Sequence, residues 1–237
     1  RVRRKGGEVE KMITVIRSVP IFSGLEGDEI GAVLRIAVER RFSRGELIFS
    51  DGDLADGFYV VAEGKVKVFK MSFDGKEQIL HIFGPGEPFG EVPVFSGKSF
   101  PASAQAIAAS RLVFFPRKAI IDLVTEKPAL ALNMLAVMSM RLRQFTVQIE
   151  NLSLKEVPER LASYLMYLAR EQDAFDAVRL DISKGHLASL LGTIPETLSR
   201  IFAKMSGDGL IEVNGREIRL IDREGLAELA GLDVEEG

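Results

Sequence analysis

Ser183–Arg219 is the stretch that most limits what this chain can fold into. Ser183 is suited to cap a helix in which Leu187, Leu190 and Leu191 recur at helical spacing. Gly192 suits the left-handed geometry that ends a helix. A second helix opens at Thr193 or Ile194, with Pro195 in its first turn, where a missing N–H costs nothing. Leu198, Ile201, Phe202 and Met205 form its apolar stripe. Asp208-Gly209 reads as a turn. Leu210–Val213 and Glu217–Ile221 read as strands around Asn214-Gly215, a type I′ hairpin signal.

Helix, tight turn, helix and hairpin outline a winged helix-turn-helix, which places its second helix in the DNA major groove. Glu196, Ser199 and Arg200 are three and four residues apart and share one face of that helix. Glutamate accepts from cytosine N4, arginine donates two bonds to guanine, and serine bonds either way. Glu196 also fits a capping box with Thr193, and Arg200 also fits a phosphate contact or a solvated charge. Thr197 and Lys204 suit phosphate contacts or an ordinary helix surface. Ser183 and Lys184 complete the candidate DNA-binding set.

The 237 residues allow one or two domains, and 46% are hydrophobic. No apolar run is long enough to span a membrane and no signal peptide is visible, so a cytoplasmic location is expected. The absence of cysteine excludes disulfides, Cys-ligated iron–sulfur clusters and thiol sensing. With two histidines, no P-loop and no metal-ligand cluster, the chain does not read as an enzyme. Residues 156–237 carry 9 Lys/Arg and 16 Asp/Glu, against a whole-chain net charge of −3. DNA affinity needs local cations, here Lys184, Arg200, Lys204, Arg216 and Arg219, and should be salt-sensitive.

From Phe42 to Pro116, short apolar runs alternate with glycine-marked turns, which indicates a small all-β roll. In Lys65–Phe69, Val66 and Val68 lie opposite Lys65, Lys67 and Phe69. Helices are expected at Met12–Ile16, Asp28–Val38 and Arg117–Val124, and a long one at Pro128–Asn151. The long helix carries Leu130, Met134, Val137, Met138, Arg141, Leu142, Phe145, Ile149 and Leu152 at steps of three and four, a two-helix dimer seam or a face buried on its own domain. Ser153–Pro158 reads as a hinge. The resulting organisation is α+β: residues 1–127 a jelly-roll-type sensing domain, 128–155 a dimerisation helix with hinge, and 156–237 the winged helix-turn-helix domain.

This order resembles the Crp/Fnr superfamily of bacterial transcription regulators, with a cyclic-nucleotide-binding-like roll. The residues that carry it are Arg44-Gly45-Glu46, the Phe58–Phe69 strand pair around Gly64, Gly86–Glu91, Asn151–Leu154 and Glu196–Arg200. The resemblance implies a homodimer joined through 128–152, double-stranded DNA bound as an inverted repeat of TTGA-type half-sites, and RNA polymerase as a partner. Ala102–Ala106, Leu152–Lys155, Pro195–Arg200 and Gly215–Arg223 look like the DNR and HcpR regulators of nitrogen-oxide metabolism, for which haem-mediated nitric oxide sensing is implied.

The effector is less legible. Cyclic-AMP members end their phosphate cassette in Arg-Ser-Ala, where this chain has Phe100-Pro101-Ala102. Phe145 stands where they contact adenine through a threonine. Cyclic AMP is therefore not expected, because a buried phosphate without its arginine loses a charge-assisted pair. The candidate effector pocket comprises His81, Phe69, Phe83, Phe89, Gly90, Glu91, Phe100, Met134 and Met138. His81 is the candidate axial ligand for haem, with Met134 or Met138 opposite; it also fits an ordinary strand residue. A small organic effector, or a roll that serves only as a dimerisation scaffold, stays open.

Overall fold

A computed structural model describes residues 6–232. It forms two compact units, divided between Arg143 and Gln144.

In the first unit, α1 (Gly6–Ser18) and α2 (Asp28–Ile36) precede eight strands: β1 (Val38–Phe42), β2 (Leu47–Phe49), β3 (Gly57–Glu63), β4 (Val66–Met71), β5 (Glu77–Phe83), β6 (Pro88–Phe89), β7 (Ser103–Ala106) and β8 (Ser110–Pro116). Helix α3 (Val92–Ser96) lies between β6 and β7; α4 (Arg117–Glu126) and α5 (Pro128–Leu154) follow β8, α5 running on into the second unit from Gln144. The strands form two antiparallel four-stranded sheets, ordered β1-β8-β3-β6 and β2-β7-β4-β5.

Side-chain alternation on β3 and β8 organises the core. Tyr59, Val61, Leu112 and Phe114 pack between the sheets with Phe49, Phe83, Phe89 and Phe100. Phe58, Val60, Val113 and Phe115 face the other way, against Met12, Ile16, Val33, Leu130, Met134 and Val137 of the helices. A strand covered on both faces reads as a continuous apolar run, and β3 is buried at every position except Glu63. Gly64 follows in the left-handed region (φ +91°), where an added Cβ would lie 2.4 Å from Ser110 Oγ.

The second unit holds α6 (Val157–Glu171), β9 (Ala177–Arg179), α7 (Lys184–Leu190), α8 (Pro195–Gly207), β10 (Ile211–Asn214), β11 (Glu217–Leu220) and α9 (Arg223–Leu229). A three-stranded sheet ordered β10-β11-β9 forms the wing. Strand β9 was not foreseen; it is three residues long and held by pairing to β11.

Several boundaries differ from expectation. Helix α2 stops at Ile36, because Ala37 is extended and Val38–Phe42 pairs along β8. Helix α5 continues to Leu154. Its apolar positions divide between two faces: Leu130, Met134 and Val137 are buried on the roll, whereas Leu135, Leu142, Phe145 and Ile149 are exposed. Asn214 pairs with Glu217, so the hairpin loop is Gly215-Arg216. Only Gly215 has a positive φ (+65°), which is the type II′ pattern rather than type I′.

Candidate functional site

Helix α7 starts as the sequence suggests: the Ser183 side chain accepts the His186 N–H at 3.1 Å. Gly192 is left-handed (φ +68°) and ends the turn. Helix α8 is capped by the extended Ile194 rather than by Thr193, and no side chain caps it. The Thr193–Glu196 capping box does not form, which leaves the exposed Glu196 carboxylate outside any cap. Leu198, Ile201, Phe202 and Met205 are all buried, so the opposite face of α8 is turned outward.

Glu196, Ser199, Arg200 and Lys204 are exposed on α8, and Thr197 is half-buried. The Ser199 hydroxyl donates to the Pro195 carbonyl at 2.9 Å, which spends its hydrogen and leaves its lone pairs to accept. Arg200 Nη2 donates to Thr197 Oγ1 at 3.3 Å, so the guanidinium is held against its own helix. Lys184 Nζ lies 5.0 Å from the Phe202 ring centre. In the wing, Arg219 is neutralised by Glu212 at 2.6 Å, while Arg216 occupies the hairpin loop. The exposed face of α8 carries both acceptors and donors, and the hairpin loop carries a cation, chemistry suited to base edges and phosphates.

The roll interior differs from the expected pocket. Phe49, Tyr59, Phe83, Phe89, Phe100 and Phe114 are each less than 9% exposed, with neighbouring ring centres 3.7–6.1 Å apart. Phe100 stacks on Phe49 at 3.7 Å and 8°. The Gly90 backbone approaches the same two rings, since an added Cβ would sit 3.1 Å from Phe100 and 3.3 Å from Phe49. Glu91 is buried and paired with Arg141 of α5, which also donates to the Pro88 carbonyl and lies 5.0 Å from the Phe83 ring centre. Among the described residues, no buried side-chain polar atom lacks a partner. A cleft of about 390 Å³ does exist, but at the β1–β8 edge, where Arg111 bridges Glu39 and Glu63.

Three expected pocket residues are not brought together with the rest. Phe69 is buried but belongs to neither core cluster: strand alternation puts it on the face of β4 opposite Val66 and Val68, its ring 4.5 Å from the Lys67 ammonium. Met134 is buried in the helix-side core, separated by the β1-β8-β3-β6 sheet from the cluster holding Phe83. Met138 is half-buried on α5 and belongs to neither core cluster.

His81 pairs with Val68 on the inner face of the sheet. Its ring meets Phe83 edge-on at 4.5 Å, and Nε2 lies 3.6 Å from Glu87 Oε1. Burial opposes ionisation of Glu87, but contacts with the His81 ring and the Gly84 N–H outweigh it and hold this carboxyl below the ordinary carboxylate range. These residues do not fit haem: the candidate ligand nitrogen faces a carboxylate, Met134 lies behind a sheet, and rings fill the interior.

Residues 39–127 match the cyclic nucleotide-binding domain family, and residues 159–229 match the Crp-like helix-turn-helix domain family. The chain is 30% identical over 223 residues to the "CRP-like cAMP-activated global transcriptional regulator" of Mycobacterium tuberculosis, covering 92% of this chain and 100% of that protein. It is 33% identical over 200 residues to the transcriptional activator Anr of Pseudomonas protegens, covering 83% and 82%. The solved structure of FixK2 from Bradyrhizobium japonicum is similar, with a TM-score of 0.73 at 27% identity, covering 82% and 97%. An architecture of β-roll, long helix and winged helix-turn-helix defines a DNA-binding transcription regulator with a cyclic-nucleotide-binding-like effector domain. The chain belongs to the Crp/Fnr family. No helix among the described residues is long and apolar enough to cross a membrane.

Proposed function

We propose that this chain is a homodimeric regulator that reads an inverted repeat of TTGA-type half-sites through α8, and whose roll keeps its working arrangement without a cyclic nucleotide. Glu196, Ser199 and Arg200 are the base readers; Thr197, Lys204, Ser183 and Lys184 contact or approach the backbone. The observation that carries this reading is the polar face of α8, opposite four buried anchors.

The dimer seam is the exposed face of α5. Leu135, Met138, Leu142, Phe145, Ile149 and Leu152 follow alternating steps of three and four, the spacing of a two-helix coiled coil. The two α8 helices of a dimer reading successive major grooves need half-sites about one helical turn apart. RNA polymerase is the protein partner expected of such a regulator.

The closed roll supports the effector-independent reading. Phe100 and Pro101 replace a phosphate anchor, and Arg141 supplies a cation to Glu91. The link to the nitrogen-oxide branch rests on short stretches of sequence, and the surroundings of His81 do not favour haem.

The test is fluorescence anisotropy on a labelled repeat. Wild-type protein binds it equally with and without cyclic AMP. Arg200→Ala loses about 1–3 kcal/mol and relaxes preference at one base pair. Uniform weakening on every sequence would reassign Arg200 to phosphate.

A further inference from the structure

The linker between α5 and α6 looks like a hinge in sequence, yet it is tied down by two cations. Arg160, in the first turns of α6, donates from Nε to the Lys155 carbonyl at 2.9 Å. Its Nη1 donates to the Leu191 carbonyl at 2.7 Å, and its Nη2 to the Leu152 carbonyl at 3.2 Å. Lys155 Nζ donates to the Ala230 carbonyl at 2.6 Å and to Ser163 Oγ at 3.0 Å. Leu152 is in the last turn of α5, Leu191 is the C-cap of α7, and Ala230 is the C-cap of α9.

The chemistry of these partners is shared. A helix C-terminus leaves carbonyls without intrahelical donors and carries about half a negative charge. Three such ends converge here on one guanidinium and one ammonium. The planar guanidinium fork holds three carbonyls in fixed directions, which a single ammonium cannot do. Glu159 closes the junction by accepting the Glu156 N–H at 2.7 Å.

We propose that Lys155 and Arg160 are positioning residues that fuse the last turn of α5 to the DNA-binding unit, so that Ser153–Pro158 is a rigid joint and any reorientation of the reader is taken up N-terminal to Leu152. The link to DNA recognition rests on the function proposed above; the rigidity of the joint does not.

The chain lacks cysteine, which makes it ready for paired spin labels. We would label Ser153→Cys together with Glu171→Cys, dilute with unlabelled protein, and record the distance distribution by double electron–electron resonance with and without the repeat. The expected result is one narrow distribution, unchanged by DNA. A broad distribution, or one that shifts on binding, overturns the proposal whatever the variants show. Arg160→Ala should broaden the distribution and weaken DNA binding about 5- to 150-fold, the range of typical site-to-site coupling. Arg160→Lys should not restore either readout. A folded Arg160→Ala protein with wild-type affinity and an unchanged distribution also overturns the proposal. Failure of the wild-type protein to bind the repeat would instead sink the DNA-reading assignment, leaving the label distances to judge the joint alone.

Discussion

Replacing Phe100 by alanine tests whether the roll is a filled core or a vacant receptor. The ring is 3% exposed and stacks on Phe49 at 3.7 Å, within a cluster of six aromatic side chains. Truncating a phenylalanine in such a setting costs about 3–5 kcal/mol, as lost transfer energy plus the cavity left behind. The neighbours cannot relax freely: Phe49 also contacts Tyr59 and Phe89, and Gly90 backbone lies against both rings. Hydrogen exchange of β3 and β8 reports opening of this unit separately from the other one. At 1.4 kcal/mol per decade, their slowest amides should exchange about two to three and a half orders of magnitude faster. Leu54→Ala, at a side chain 83% exposed, serves as the control and should stay within about 0.5 kcal/mol. An acceleration below about tenfold for Phe100→Ala would mean that the ring does not fill the interior, and the case for an effector-independent roll would lapse.

Other perturbations probe separate features. Ile149→Glu places a charge in the exposed seam of α5 and should convert dimer to monomer in sedimentation velocity, with the far-ultraviolet spectrum retained. His81→Ala should raise the Glu87 titration midpoint, followed by carbon NMR of the carboxyl. A carboxyl held below its unfolded value contributes stability that is present above the ordinary carboxylate range and lost as pH falls through the folded value; the variant should show less of that acid-side loss. Haemin should give no saturating Soret band with either protein. Gly64→Ala forces a Cβ to 2.4 Å from Ser110 Oγ at a φ of +91°, and should cost about 2–5 kcal/mol in urea unfolding.

The DNA-reading end was legible because its signals are local. Ser183, Gly192, Pro195 and the stripe from Leu198 to Met205 each act within a few residues, and the structure places them as their chemistry requires. Of the two starts open for the second helix, Ile194 is the cap and the Thr193 capping box fails; the shifted hairpin loop is likewise a one-residue difference. Proline at the first helical position selects Ile194 as the cap, and pairing of Asn214 with Glu217 overrides the Asn-Gly turn preference. The roll was legible as a class but not as a site. Glu91 meets a cation 50 residues away, and no periodicity reveals that Arg141 leaves the stripe on which its spacing puts it. Met134 looked available for the same reason: spacing along α5 does not say which side of a sheet a side chain reaches. Lys155 and Arg160 gave no signal, since all but one of their partners are main-chain carbonyls and the remaining one is the Ser163 hydroxyl.

The double burial of β3 and β8 has a mechanical consequence. Alternate side chains of the same two strands belong to the aromatic interior and to the layer that carries the first turns of α5. The two cores share one wall, and packed interiors transmit volume changes rather than absorb them. An added or deleted methylene beside Tyr59 or Phe114 therefore presses on the backbone that seats Leu130, Met134 and Val137. In a double-mutant cycle, residues on opposite sides of this wall, such as Phe89 and Leu130, should couple through the shared strands although they belong to different clusters.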